Sequence, residues 1–100
     1  MVYGVKFLPE VKIDLSEAKD YYFDKGGNQL AERFKTEINS EIEYIQKFPE
    51  HYQIQYRRLR RAIVKKFPYA IFYRFENKKI IIFAILHTRQ DSSLIHSRLR

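Results

Sequence analysis

The chain has no cysteine among its 100 residues, which excludes a disulfide framework and thiol chemistry alike. It also lacks any run of about 18 apolar residues, the length a helix needs to cross a bilayer. The longest apolar stretch, Ile80 to Leu86, has the length of a strand. The opening Met1-Val2-Tyr3-Gly4-Val5-Lys6 holds neither the apolar core nor the small-residue cleavage site of a secretory signal, so a cytoplasmic protein is expected. Acidic side chains are scarce in the second half, where Glu76 and Asp91 are the only two, and catalysis by paired carboxylates has little material there. His51, His87 and His96 are too far apart, and too poor in acidic neighbours, for a metal site. No phosphate loop and no Ser-His-Asp pattern emerges. Neither a metal nor a cofactor is expected.

What is present is a core and a polarised charge. The 45% hydrophobic content and 16% aromatic content suffice for one folded unit, expected to be a single domain over residues 1–100. The formal net charge is +7, with residues 1–50 carrying seven Lys/Arg against ten Asp/Glu and residues 51–100 carrying twelve against two. The first half is therefore −3 and the second +10. Such a field is directed at an acidic surface: nucleic acid, a nucleic-acid-bound machine, or an acidic protein partner.

Val2 to Leu8 alternates enough for a first strand. Pro9-Glu10 then opens a helix, with proline at home in a first turn and an acid near the positive end of the dipole. Val11, Leu15, Ala18 and Tyr22 form one apolar stripe at helical spacing. Gly26-Gly27 ends that helix, Asn28 caps a second, and Leu30, Phe34, Ile38, Ile42 and Ile45 give the second an apolar face up to Phe48-Pro49. After Pro49 the period drops to 2. Leu59 to Phe67 reads as a strand, Pro68 breaks it, and Tyr69 to Phe75 forms the next. In that strand Tyr69, Ile71, Tyr73 and Phe75 face the core, with Ala70, Phe72 and Arg74 opposite. Asn77-Lys78 is a hairpin turn. Lys79 to Leu86 is apolar on both faces and belongs inside the sheet, and Asp91-Ser92-Ser93 begins a short helix through Arg98. The order β-α-α-β-β-β predicts an α+β fold, a helix hairpin on one face of a largely antiparallel four-stranded sheet, with the other face free.

Arg57-Arg58-Leu59-Arg60-Arg61, followed by Lys65-Lys66, is the densest feature, with six basic residues in the ten from 57 to 66. Guanidinium groups hold phosphate or carboxylate oxygens in bidentate fashion, so the cluster suits phosphate or an acidic segment. The plain alternative is an edge strand guarded by its charges. Strand alternation would put Arg61 and Lys65 on one face. Phe72, beside Arg74, is the aromatic best placed to meet a partner. His87, next to Arg89 and Asp91, is either a hydrogen-bonded structural histidine or a general base.

Several segments together resemble RelE/ParE-superfamily toxins. They are Asp20-Tyr21-Tyr22 in the first helix, Phe48-Pro49-Glu50, Lys66-Phe67-Pro68-Tyr69-Ala70-Ile71-Phe72-Tyr73, and Ala84-Ile85-Leu86-His87-Thr88-Arg89-Gln90-Asp91. The resemblance implies the toxin of a type II toxin–antitoxin, plasmid-stabilisation module, silenced when a cognate antitoxin wraps it. RelE-like members cut ribosome-bound messenger RNA, whereas ParE-like members inhibit DNA gyrase. RelE-like enzymes place an arginine where this chain has Ala70, another near Arg89, and a tyrosine near His96. Alanine cannot stabilise a developing phosphate charge, and the last segment is similar to the final strand of ParE-like toxins. The resemblance therefore favours the gyrase-inhibiting branch, with messenger-RNA cleavage through Arg61, Lys65, Arg74, His87, Arg89 or His96 as the alternative. A plain nucleic-acid-binding module is a third possibility. Contacts to target or partner are expected from Arg57, Arg58, Arg60, Arg61, Lys65, Phe72, Arg74, Arg89 and Arg98.

Overall fold

The computed structural model describes residues 2–99. Leu8, in extended conformation, leads into helix α1 (Pro9–Lys47), which carries Pro9 in its first turn. A straight helix of 39 residues would run roughly 58 Å at 1.5 Å per residue, well beyond the 39 Å longest dimension of the molecule. It does not run straight. Gly26 (φ −148°, ψ 16°) and Gly27 (φ 73°, ψ −167°) leave helical geometry, and the φ/ψ of Gly27 is a region that only glycine occupies readily. The two arms, 9–25 and 28–47, fold back on each other, and the rings of Tyr22 and Phe34 meet across them at 5.0 Å. The helix hairpin expected from the sequence is thus formed.

Five strands build the sheet: β1 (Gly4–Phe7), β2 (Ile54–Tyr56), β3 (Leu59–Ile63), β4 (Tyr69–Glu76) and β5 (Lys79–His87). Their order is β1-β5-β4-β3-β2, with β1 parallel to β5 and every other pair antiparallel. The α+β class holds, but there is one strand more than expected. β2 escapes a reading of alternation because it is only three residues long. The turn after it, Arg57 (φ 46°) and Arg58 (φ 67°), is a left-handed two-residue turn made without glycine or asparagine. The strand expected over Leu59 to Phe67 stops at Ile63, and Lys66 takes φ 70° on the way into β4. Asn77-Lys78 closes the β4–β5 hairpin with both residues at positive φ.

β5 lies inside the sheet between β1 and β4, as its two apolar faces predict. Its pairing with β4 slips by one residue, from Phe72↔Ala84 to Tyr73↔Ile82. This bulge changes the alternation, so Ile80, Ile82 and Ile85 all reach the core under α1 while Ala84 and Leu86 reach the opposite one. The opposite face is not free. Helix α2 (Asp91–Arg98) lies over it, and Ile95 seals a second core with Leu59, Ala70, Phe72, Ala84 and Leu86. Phe72, expected on a partner-facing surface, is 3% exposed; the apolar area of that face is buried by the chain's own C-terminal helix.

Gly27→Ala should cost about 2 kcal/mol, because a side chain at that φ/ψ is strained even though open space surrounds it. Thermal unfolding should show Tm lowered by roughly 10 °C. An unchanged Tm would mean the hairpin closes without this backbone geometry.

Candidate functional site: basic clefts beside the C-terminal helix

β1 ends at Phe7, opposite Ile82, and Leu8 adds one last bond from its N–H to the Ile82 carbonyl at 3.1 Å. Pro9 then turns the chain into α1, so β5 continues without a neighbour on that side. Backbone groups left open and buried must find partners. Asp14 accepts the Ile85 N–H at 3.0 Å, and Arg98 donates to the Phe83 carbonyl at 3.2 Å. The two side chains also pair with each other, Arg98 Nη1 to Asp14 Oδ2 at 2.7 Å and Nη2 to Oδ1 at 2.9 Å. The Asp14 bond raises the Arg98 pKa further above its ordinary value. Asp14, 8% exposed, stands within the apolar stripe of α1, three residues after Val11 and four before Ala18. An acid at that position was the available sequence signal, and it was missed. Arg98, expected from sequence among the contacts for partners, fastens α2 and also lines the cleft towards α1.

The other end of α2 is fastened in the same way. Arg61 donates from Nε (2.8 Å) and Nη2 (2.6 Å) to Asp91 Oδ2, and Asp91, the first residue of α2, is 4% exposed. The carboxylate also sits at the positive end of the helix dipole.

α2 divides the predicted site residues between two clefts. The cleft towards α1, of about 660 Å³, gathers His87, Arg89 and Arg98 with Tyr21, Tyr69 and Leu94. His87 Nδ1 accepts the Arg89 N–H at 3.1 Å, and its ring meets Tyr69 at 5.3 Å. Burial raises the Tyr69 phenol above its usual range, so Tyr69 stays a protonated donor. Tyr21 and Leu94 are 51% and 42% exposed. The cleft towards β3, of about 390 Å³, holds Arg61, Tyr56, Thr88 and His96, with His96 packed on Tyr56 at 4.1 Å between centroids.

The remaining cations disperse. Arg57 and Arg58 project from the β2–β3 turn, Arg57 over the Tyr56 ring and Arg58 3.4 Å from Glu76 at 74% side-chain exposure. Arg74 rests on Phe83 at 4.7 Å and donates to the Arg57 carbonyl. Arg60 is tied to the carbonyls of Tyr52 and Glu50. Lys65 does not share a face with Arg61. Because β3 ends at Ile63, alternation does not carry to it, and Lys65 lines a cavity against α1 with Glu41 and Tyr44. Arg61, Lys65, Arg74, His87, Arg89 and His96 therefore do not meet in one place. Ala70, at the position where the resemblance would put a catalytic arginine, is fully buried beneath α2. Among the described residues, no three His, Asp or Glu side chains converge as a metal site, and no helix is long and apolar enough to cross a membrane.

A helix hairpin on one face of a five-stranded sheet, with a short C-terminal helix clasped on the other between two clefts that carry arginine side chains, defines a small α+β protein. The family model described as ParE toxin of type II toxin-antitoxin system, parDE, matches residues 5–92, and the chain belongs to that family, the ParE-like branch of the RelE/ParE superfamily. A solved structure titled "Chromosomal ParDE TA system from P. aeruginosa" is similar with a TM-score of 0.78 at 18% identity, over 86% of this chain and 96% of that one. At that identity the likeness concerns the fold. A comparison with curated proteins found no match.

Arg98→Ala should cost about 2–3 kcal/mol, since it leaves the Asp14 carboxylate buried without its counter-charge. In a urea-denaturation double-mutant cycle, Asp14→Ala with Arg98→Ala should fall short of additivity by more than about 1 kcal/mol. Strict additivity would show that the pair does not hold α2.

Proposed function

We propose that this protein is the toxin of a type II toxin–antitoxin module, that it inhibits DNA gyrase by binding, and that a cognate antitoxin neutralises it in the cytoplasm. Ala70 carries the reading. It is 0% exposed under Ile95 in the second core, so the position that would bear the phosphate-stabilising arginine of a nuclease serves packing here. Arg61 and Arg98 are neutralised by aspartates, which leaves Arg57, Arg58 and Arg89 as the exposed guanidinium groups of the second half among the described residues. The cleft with exposed Tyr21 and Leu94 under a rim of Arg89 suits an acidic, partly apolar antitoxin segment that folds as it binds.

Purified toxin should stop gyrase supercoiling while leaving ribosome-bound message intact in primer extension. The triple variant Arg57→Ala, Arg58→Ala, Arg89→Ala should weaken inhibition by about tenfold or more with little change in Tm. Intact supercoiling at saturating toxin would overturn the proposal.

One observation favours a second reading. The His96 imidazole, exposed and stacked on Tyr56, opens onto the cleft beside β3, as a base would for RNA cleavage. That reading requires A-site cleavage products that disappear in His96→Ala. Their absence with wild-type toxin on translating ribosomes would eliminate it.

A further inference from the structure

The second arm of α1 turns Glu37, Glu41 and Tyr44 towards a cavity of about 390 Å³ closed by His51, Tyr52 and Lys65. It lies apart from both clefts beside α2, and neither the fold nor the proposed toxin activity uses it. Its volume falls within the range of small-ligand pockets. Glu41 is 7% exposed. Its Oε2 accepts the Tyr52 phenol at 2.6 Å; Oε1 is not enclosed and stays open to solvent, and no cationic group stands within ion-pair distance of the carboxylate among the described residues. A carboxylate on a residue this buried normally has a counter-charge.

Aromatic rings supply the rest. Tyr44 meets His51 at 5.3 Å and 89°, and His51 meets Tyr52 at 4.8 Å and 84°; Tyr44 and Tyr52 lie 6.1 Å apart at 65°. All three rings line the cavity. The walls are also held in place. Arg60 donates to the Tyr52 carbonyl at 2.6 Å and to the Glu50 carbonyl at 3.3 Å, and the Tyr73 hydroxyl donates to the Pro49 carbonyl at 2.7 Å. Burial and the Glu41 hydrogen bond raise the Tyr52 phenol above its usual range, so it remains a donor fixing one carboxylate oxygen and leaving the other for a ligand.

We propose that this cavity is a binding site for a basic side-chain head, the guanidinium or ammonium group at the end of an apolar stem, held between Glu41 and the rings of Tyr44, His51 and Tyr52. Carboxylate supplies the charge, and the aromatic walls suit a weakly hydrated cation with an apolar stem. Lys65, exposed at the rim, makes no ion pair with Glu37 or Glu41; its ammonium opposes the ligand.

The test is an NMR titration of the full chain with N-acetylarginine amide, following the Tyr44, His51 and Tyr52 ring signals, with N-acetylnorleucine amide as a neutral probe. The arginine probe should give saturable shifts that the norleucine probe does not. Glu41→Gln should weaken binding by about tenfold or more, and Tyr44→Leu should weaken it with the sheet amide signals unmoved. Lys65→Ala should tighten binding several-fold, a change opposite in sign to damage from misfolding. Equal shifts from the two probes would overturn the proposal. So would a Lys65→Ala variant that binds no better than the wild type.

Discussion

Everything on the α2 face follows from a strand that outruns its neighbour. β1 stops at Phe7, opposite Ile82, and Pro9, which has no N–H, takes the chain away. The backbone of β5 at Phe83 and Ile85 is then left to be satisfied by something other than a strand. One carboxylate and one guanidinium do this together: Asp14 takes the Ile85 amide, Arg98 takes the Phe83 carbonyl, and the two neutralise each other. Three elements, α1, β5 and α2, meet in that one pair. A short helix with Ile95 as its only fully buried apolar side chain has little hydrophobic hold of its own, so the ion pairs at its two ends decide where it lies. Its position then shuts Phe72 and Ala70 away and opens a cleft on either side.

This division separates the cations by task. Arg61 and Arg98 are spent on aspartates, Arg60 on carbonyls of the 48–53 loop, and Arg74 on Phe83 and the neighbouring turn. Of the second half's arginines among the described residues, those left outward are Arg57 and Arg58 on a left-handed turn, and Arg89 at the mouth of the cleft towards α1. The positive half of the sequence thus presents fewer free guanidinium groups than its composition suggests. That supports recognition of an acidic surface by a few fixed points over an assembled phosphate-cleaving centre. The carboxylate and ring cavity against α1 has the opposite sign, so the molecule offers two surfaces of different chemistry.

The helix hairpin was legible because its signals are local: Pro9, the paired glycines, and two stripes at helical spacing. The interior position of β5 was legible from its two apolar faces. β2 was not, because three residues carry too little alternation and the Arg57-Arg58 turn lacks the glycine or asparagine that marks such turns. The bulge at Phe83 was invisible for a related reason, since apolar residues on both faces of β5 hide a one-residue slip. The site was harder still. Basic residues announce themselves by type, but whether each is paired depends on acids far along the chain: Asp14 lies 84 residues from Arg98 and Asp91 lies 30 from Arg61. The burial of Phe72 is not legible locally, because nothing in its own strand tells that the sheet's second face is covered; the docked helix covers it.

The central claim, that Asp14 and Arg98 stand in for a missing strand and thereby hold α2, can be read at a single amide. In native-state hydrogen exchange, the Ile85 N–H should be protected as strongly as amides of the β4–β5 ladder, and should lose that protection in the same opening event that releases the α2 amides. An Ile85 amide exchanging at the rate of an open strand edge, while α2 stays protected, would contradict the account.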